Sequence, residues 1–209
     1  HCSSAASDVY KRQVLYIDGV SKGTGTDTTN YTTTTGTWYQ GANDVGQGNQ
    51  PTGYFSNFRI VKGSNVYGGP FSPPSFPLTA VINTQLLILQ SNRFVDNSTN
   101  GIAVTNSGGL KIQPFSPFSY TSTTTVNNYG SYYFDGTGDR LTVVGGENIG
   151  TVDFTISVWV YRTSSGTYPV ILDTRSSDSD IKPVINTDGT NLYYYSGGAI
   201  RITGSGVIN

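Results

Sequence analysis

The sequence predicts an all-β protein, an antiparallel β-sandwich, and three observations carry that prediction. Short runs of alternating apolar residues recur along the chain, separated by turn formers. Only 12% of the 209 residues are charged, whereas Gly (26) and Tyr (15) are abundant, far from the Glu, Lys, Leu and Ala usage of helical proteins. Threonine runs such as Tyr31-Thr-Thr-Thr-Thr-Gly36 and Ser122-Thr-Thr-Thr-Val126 favour strands and turns, because two substituents on Cβ restrict χ1 in a helix but suit a pleated surface.

The elements follow in chain order. Residues 1–13 share no pattern with the rest, and Ser7-Asp-Val-Tyr-Lys-Arg-Gln13 reads as translated sequencing-adapter sequence, so this segment is set aside from the fold as an assembly scar. Val14-Leu-Tyr-Ile17 is a strand that runs into Asp18-Gly19, a pair that two-residue hairpin turns prefer. Thr37-Trp-Tyr-Gln40 follows, and then Tyr54-Phe-Ser-Asn-Phe-Arg-Ile-Val61, the strongest strand of the first part. The Pro-rich Gly69-Pro-Phe-Ser-Pro-Pro-Ser-Phe-Pro77 fits neither strand nor helix and reads as a module boundary. Gln85-Leu-Leu-Ile-Leu-Gln90 and Arg93-Phe-Val-Asp-Asn-Ser98 are strand candidates by their short length and polar flanks, since periodicity alone does not separate such runs from helix. Gln113-Pro-Phe-Ser-Pro-Phe-Ser119 leads to Ser131-Tyr-Tyr-Phe134.

Phe154 to Arg162 is the most informative strand. One parity, Phe154, Ile156, Val158 and Val160, is continuously apolar and belongs to a core. The other carries Thr155 and Ser157, then Trp159 and Tyr161. That aromatic pair is the candidate ligand-binding site, because pyranose C–H faces pack on flat rings; the alternative is that loops cover both rings and they complete the packing.

Several chemistries are excluded. A net charge of −1 with twelve scattered Lys and Arg offers no basic stripe for phosphates, which argues against nucleic acid. No apolar run reaches bilayer length, so membrane insertion is not expected. The only His and the only Cys are His1 and Cys2, inside the segment set aside. The rest of the chain therefore lacks the imidazole and thiol that Ser/His/Asp, Cys/His and Cys/His zinc sites require. A glycosidase needs two facing carboxyls, yet Glu147 is the sole Glu, and Asp18, Asp135 and Asp188 each precede Gly in turn pairs. The chain is accordingly read as non-enzymatic.

Tyr133-Phe-Asp-Gly-Thr-Gly-Asp-Arg-Leu-Thr-Val143, Asp153 to Arg162, Ile171-Leu-Asp-Thr-Arg175 and Asn186-Thr-Asp-Gly-Thr190 resemble the first half of the laminin G-like, concanavalin A-like jelly rolls of marine bacteriophage tail-fibre and structural proteins. Leu15-Tyr-Ile-Asp-Gly-Val20, Gly53 to Gly63 and Phe71-Ser-Pro-Pro74 resemble the second half of the same family. The closing half thus precedes the opening half. The resemblance implies that residues 14–80 end one module and 81–209 begin another, and that the two pack as one permuted, incomplete sandwich. A strand is missing between Asn209 and Val14, which predicts an open edge and self-association into a homo-oligomer.

The resemblance also implies a virion or extracellular surface module whose partner is a host-surface glycan or a neighbouring virion protein. No cofactor is certain; relatives of this kind hold Ca²⁺ at the sandwich edge, and the oxygen-rich loops here are Asp96-Asn-Ser-Thr-Asn100, Ser176 to Asp180 with Asp178 and Asp180, and Asp135 with Asp139. An architectural spacer without ligand is the alternative, and a fragment of a glycan-degrading enzyme is the third reading, although the Glu-x-Asp-x-x-Glu strand it would need is absent. Laminin G-like modules serve many functions, so the site has to decide.

Overall fold

The computed structural model describes residues 1–6, 12–31, 36–43, 48–118, 130–146, 149–164, 166–176 and 180–206. Among these residues fifteen strands form: β1 (Cys2–Ala6), β2 (Arg12–Ile17), β3 (Val20–Thr26), β4 (Gly36–Gln40), β5 (Thr52–Lys62), β6 (Thr84–Ile88), β7 (Val104–Ser107), β8 (Lys111–Gln113), β9 (Ser131–Asp135), β10 (Arg140–Gly146), β11 (Phe154–Arg162), β12 (Val170–Asp173), β13 (Val184–Thr187), β14 (Asn191–Ser196) and β15 (Ala199–Ser205). The described elements are all β, and every strand pairing is antiparallel.

Two sheets result. The first runs β3-β2-β1-β11-β5-β9-β8, and the long β5 pairs β9 with its first half and β6 with its second. The second runs β15-β14-β13-β12-β4-β10-β7. Alternation turns one face of each sheet inward, and the inner faces share one core. Leu15, Phe55, Phe58, Ile60, Phe134, Phe154 and Ile156 come from the first sheet, and Trp38, Leu141, Leu172, Leu192 and Tyr194 from the second. Strands from residues 14–80 and 81–209 are interleaved in both sheets: β5 lies between β11 and β9, and β4 between β12 and β10. Along one margin the sheets approach at glycines, where a Cβ on Gly23 would fall 2.4 Å from the Thr203 carbonyl oxygen and one on Gly25 2.8 Å from that of Arg201.

Two expectations are corrected. The open edge is filled: Cys2–Ala6, from the segment set aside, pair with β2 on one side and β11 on the other. Strand pairing uses backbone N–H and C=O groups that every non-proline residue carries, so a stretch without apolar alternation still serves. Residues 93–98 form no strand. There the Asp96 carboxylate takes over the backbone donors that a ladder would have satisfied, accepting from Leu87 N, Ser98 N and Ile102 N.

Candidate functional site

The outer face of the first sheet is set up by an irregularity in β5. Ser157 pairs with Arg59 but Trp159 pairs with Ser56, so Asn57 and Phe58 together oppose Val158 in a β-bulge. Asn57 takes φ 54°, a left-handed conformation that Asn tolerates better than most residues. Its side chain holds the kink by accepting from Leu78 N at 2.8 Å and donating to Ser56 Oγ at 2.9 Å. The extra residue flips the parity of the strand. Ahead of it Phe55 points inward and Tyr54 and Ser56 outward; beyond it Phe58 and Ile60 fill the core.

The outward residues fall into register with their neighbours. Tyr161 on β11 pairs with Tyr54 on β5, and Tyr54 with Tyr133 on β9. Cross-strand partners share a face, so three tyrosines form one row, which the exposed Lys111 on β8 continues. Ring centroids along it are 6.2 Å (Tyr54–Tyr161) and 5.0 Å (Tyr54–Tyr133) apart. Phe115 leans on the row at 4.6 Å from Tyr54 and 5.3 Å from Tyr161. Tyr161 remains 47% and Phe115 45% exposed. Beside the row lies a pocket of about 160 Å³ walled by Trp159, Tyr161, Tyr54 and Phe115, with Ser56 and Ser131 among its lining. Such a site offers flat apolar surface with a few polar groups, the usual make-up of a small-ligand pocket.

The two aromatic residues singled out in the sequence are in different circumstances. Tyr161 is exposed, whereas Trp159 is half-buried, with the His1 ring at 4.3 Å and Phe118 at 5.3 Å. Beyond His1, the Pro-rich segment lies against the sheet: Phe71 stacks on Tyr67 at 3.7 Å and meets Tyr16 edge-on at 5.5 Å. The sequence does not single out Tyr54, Tyr133, Phe115 and Ser131, because their proximity depends on long-range register; the one local signal is the run of consecutive aromatic residues in Tyr54-Phe55 and Tyr132 to Phe134, which puts a ring on each face of its strand.

Among the described residues, the carboxylates of the oxygen-rich loops are engaged mainly within their own loops and neighbouring strands. Both Asp96 oxygens are taken, by Leu87 N and Ser98 N on one and by Ser98 Oγ and Ile102 N on the other, which fills the four lone-pair positions of a carboxylate. Asp180 accepts from Ser176 N, Ser176 Oγ and Lys182 N and pairs with Lys182 Nζ at 3.3 Å. Burial raises its pKa, but these bonds outweigh that and hold it below the ordinary value. Asp178 lies outside the described residues. Asp135 and Asp139 do adjoin, Asp139 Oδ2 accepting from Asp135 N at 2.9 Å. Among the described residues the buried Asp139 Oδ1 has no hydrogen-bond partner, and it is pressed against the glycine turn, where a Cβ on Gly108 would fall 2.4 Å away. Ca²⁺ takes six to eight oxygens, so this pair alone would need further main-chain, amide or water oxygens beside it. Among the described residues no cluster of three or more His, Cys, Asp or Glu occurs.

One buried polar network was not foreseen. Asp27, after β3, accepts from Ser196 Oγ, Tyr31 OH and Thr29 N, and Tyr31 OH in turn meets Tyr194 OH at 2.7 Å. Burial raises the Asp27 pKa, but the bonds from Ser196, Thr29 and Tyr31 prevail and lower it below its ordinary value. The network ties the segment between the sheets to β14 and uses its hydroxyls internally, which suits structure rather than ligand binding. Comparison with family models, with curated proteins and with solved structures finds no match.

Proposed function

We propose that this chain is a non-enzymatic recognition module that binds host-surface glycan on the outer face of its first sheet, as part of a phage tail fibre or other virion surface protein. The observation that carries the reading is the in-register row Tyr161–Tyr54–Tyr133 with Phe115 against it, two of its rings almost half exposed. Rings held by cross-strand pairing on a sheet lose little freedom when a sugar stacks on them. We take the sandwich to be a laminin G-like, concanavalin A-like jelly roll, made from the closing half of one module and the opening half of the next. The test is a broad glycan array with the whole chain and its Tyr161→Ala variant: a hit that the substitution abolishes supports recognition. Hits unaffected by it would remove the row from the account.

A second reading, an architectural spacer contacting neighbouring virion proteins or further copies of itself, is favoured by Trp159, whose ring is packed between His1 and Phe118. Binding to no glycan by a folded sample would move the weight there.

A further inference from the structure

The pocket beside the tyrosine row contains one polar group with nothing to bond. Ser131 is 1% exposed, and among the described residues its Oγ has no hydrogen-bond partner. Its neighbour in the lining, Ser56, is by contrast fully engaged: its Oγ reaches the carbonyls of Gly130 at 2.9 Å and Leu89 at 3.4 Å and accepts from Asn57 Nδ2. A buried hydroxyl left unpaired is destabilising and calls for an explanation. Here it lies on the same face of β9 as Tyr133, two residues away, and lines a pocket whose other described walls include the rings of Trp159, Tyr161, Tyr54 and Phe115, with Pro117 and Val160.

Resting on the glycan reading above, we infer that this pocket takes the acetyl group of an acetylated sugar. An acetyl group is a methyl beside a single carbonyl oxygen. The methyl suits the ring-lined wall, and the carbonyl accepts the one proton that Ser131 Oγ has to give. A bare sugar hydroxyl would pair with Ser131 but leave the apolar wall against polar surface, and a deoxy methyl would fill the wall but leave Ser131 unpaired. The acetyl satisfies both, while the sugar ring lies over the tyrosines. Acetamido sugars and acetyl esters present the same group, and the experiment separates them.

Binding of the whole chain is measured by calorimetry against N-acetylchitotetraose and cellotetraose, which share a neutral backbone and differ in the acetamido groups, and against acetylated xylan before and after saponification. The expected result is at least roughly tenfold tighter binding of the acetylated member in one pair or both, with pair identity reporting acetamide or ester. Ser131→Ala is expected to bring acetylated and non-acetylated ligands to parity while unfolding at a urea concentration no lower than the parent's, because it removes an unpaired buried hydroxyl. Equal affinity within both pairs, or a preference that survives Ser131→Ala, overturns the acetyl pocket but leaves the tyrosine platform standing. No binding to any of the four, by a protein that also shows no hit on the array, overturns both.

Discussion

Replacing Asn57 by valine probes the device that separates core from platform. The native φ of 54° is a conformation in which an L residue with a branched Cβ costs about 1–2 kcal/mol. The substitution also strands Leu78 N, which sits on a buried residue and bonds only to Asn57 Oδ1 at 2.8 Å, adding about 1–3 kcal/mol. Together these give a loss of about 3 kcal/mol, or roughly 6–12 °C in Tm for a chain of this size. Asn57→Gly is the control, because glycine accepts the positive φ and forfeits only the bond. Urea unfolding followed by tryptophan fluorescence reads the result, with Trp38 buried in the core as reporter. The valine variant is expected to be less stable than the glycine variant by about 1–2 kcal/mol. If valine is tolerated as well as asparagine, the bulge is not where the register places it, and Tyr54 and Phe58 would not both point as described.

Two further predictions follow from buried groups. Because the folded-state pKa of Asp27 is depressed, its contribution to stability is complete above the unfolded value of about 3.9 and is lost as pH falls through the lower folded value. Asp27→Asn should therefore be less stable at pH 7 and show a flatter acid limb in a plot of urea midpoint against pH; parallel profiles would contradict the network. Cys2 is the sole cysteine, 5% exposed between Ile17 and Val158 in register, with burial pushing its thiol up to about 11. A thiol reagent at pH 8 should label it roughly a hundredfold more slowly in buffer than in urea, and rapid labelling of native protein would remove β1 from the sheet.

Much of the fold was legible because it rests on local pattern. Phe154–Arg162 has the predicted bounds and the predicted inward face of Phe154, Ile156 and Val158, and Asp18-Gly19 makes its hairpin with φ of 51° and 75°. What escaped notice depends on partners far away in sequence. The strand at Cys2–Ala6 has no apolar alternation to announce it and is held by backbone pairing on both sides, with Cys2 in the core, whereas Arg93–Ser98 has strand composition but loses its ladder to the Asp96 carboxylate. Likewise Trp159 and Tyr161 were visible as a pair on one parity. That Tyr161 would stand in a row with Tyr54 and Tyr133, while Trp159 would be covered by His1 and Phe118, follows from a bulge and a register that no single segment encodes.

The most direct test of the central claim is the affinity of the whole chain for its strongest array ligand, measured by titration calorimetry beside Tyr54→Ala. Tyr54 is the middle ring, within 6.2 Å of Tyr161 and 5.0 Å of Tyr133, so its loss breaks the row while Phe55 keeps the core filled. The account predicts binding weakened by roughly tenfold or more in a protein that still unfolds in one cooperative transition. An affinity equal to that of the parent would contradict it.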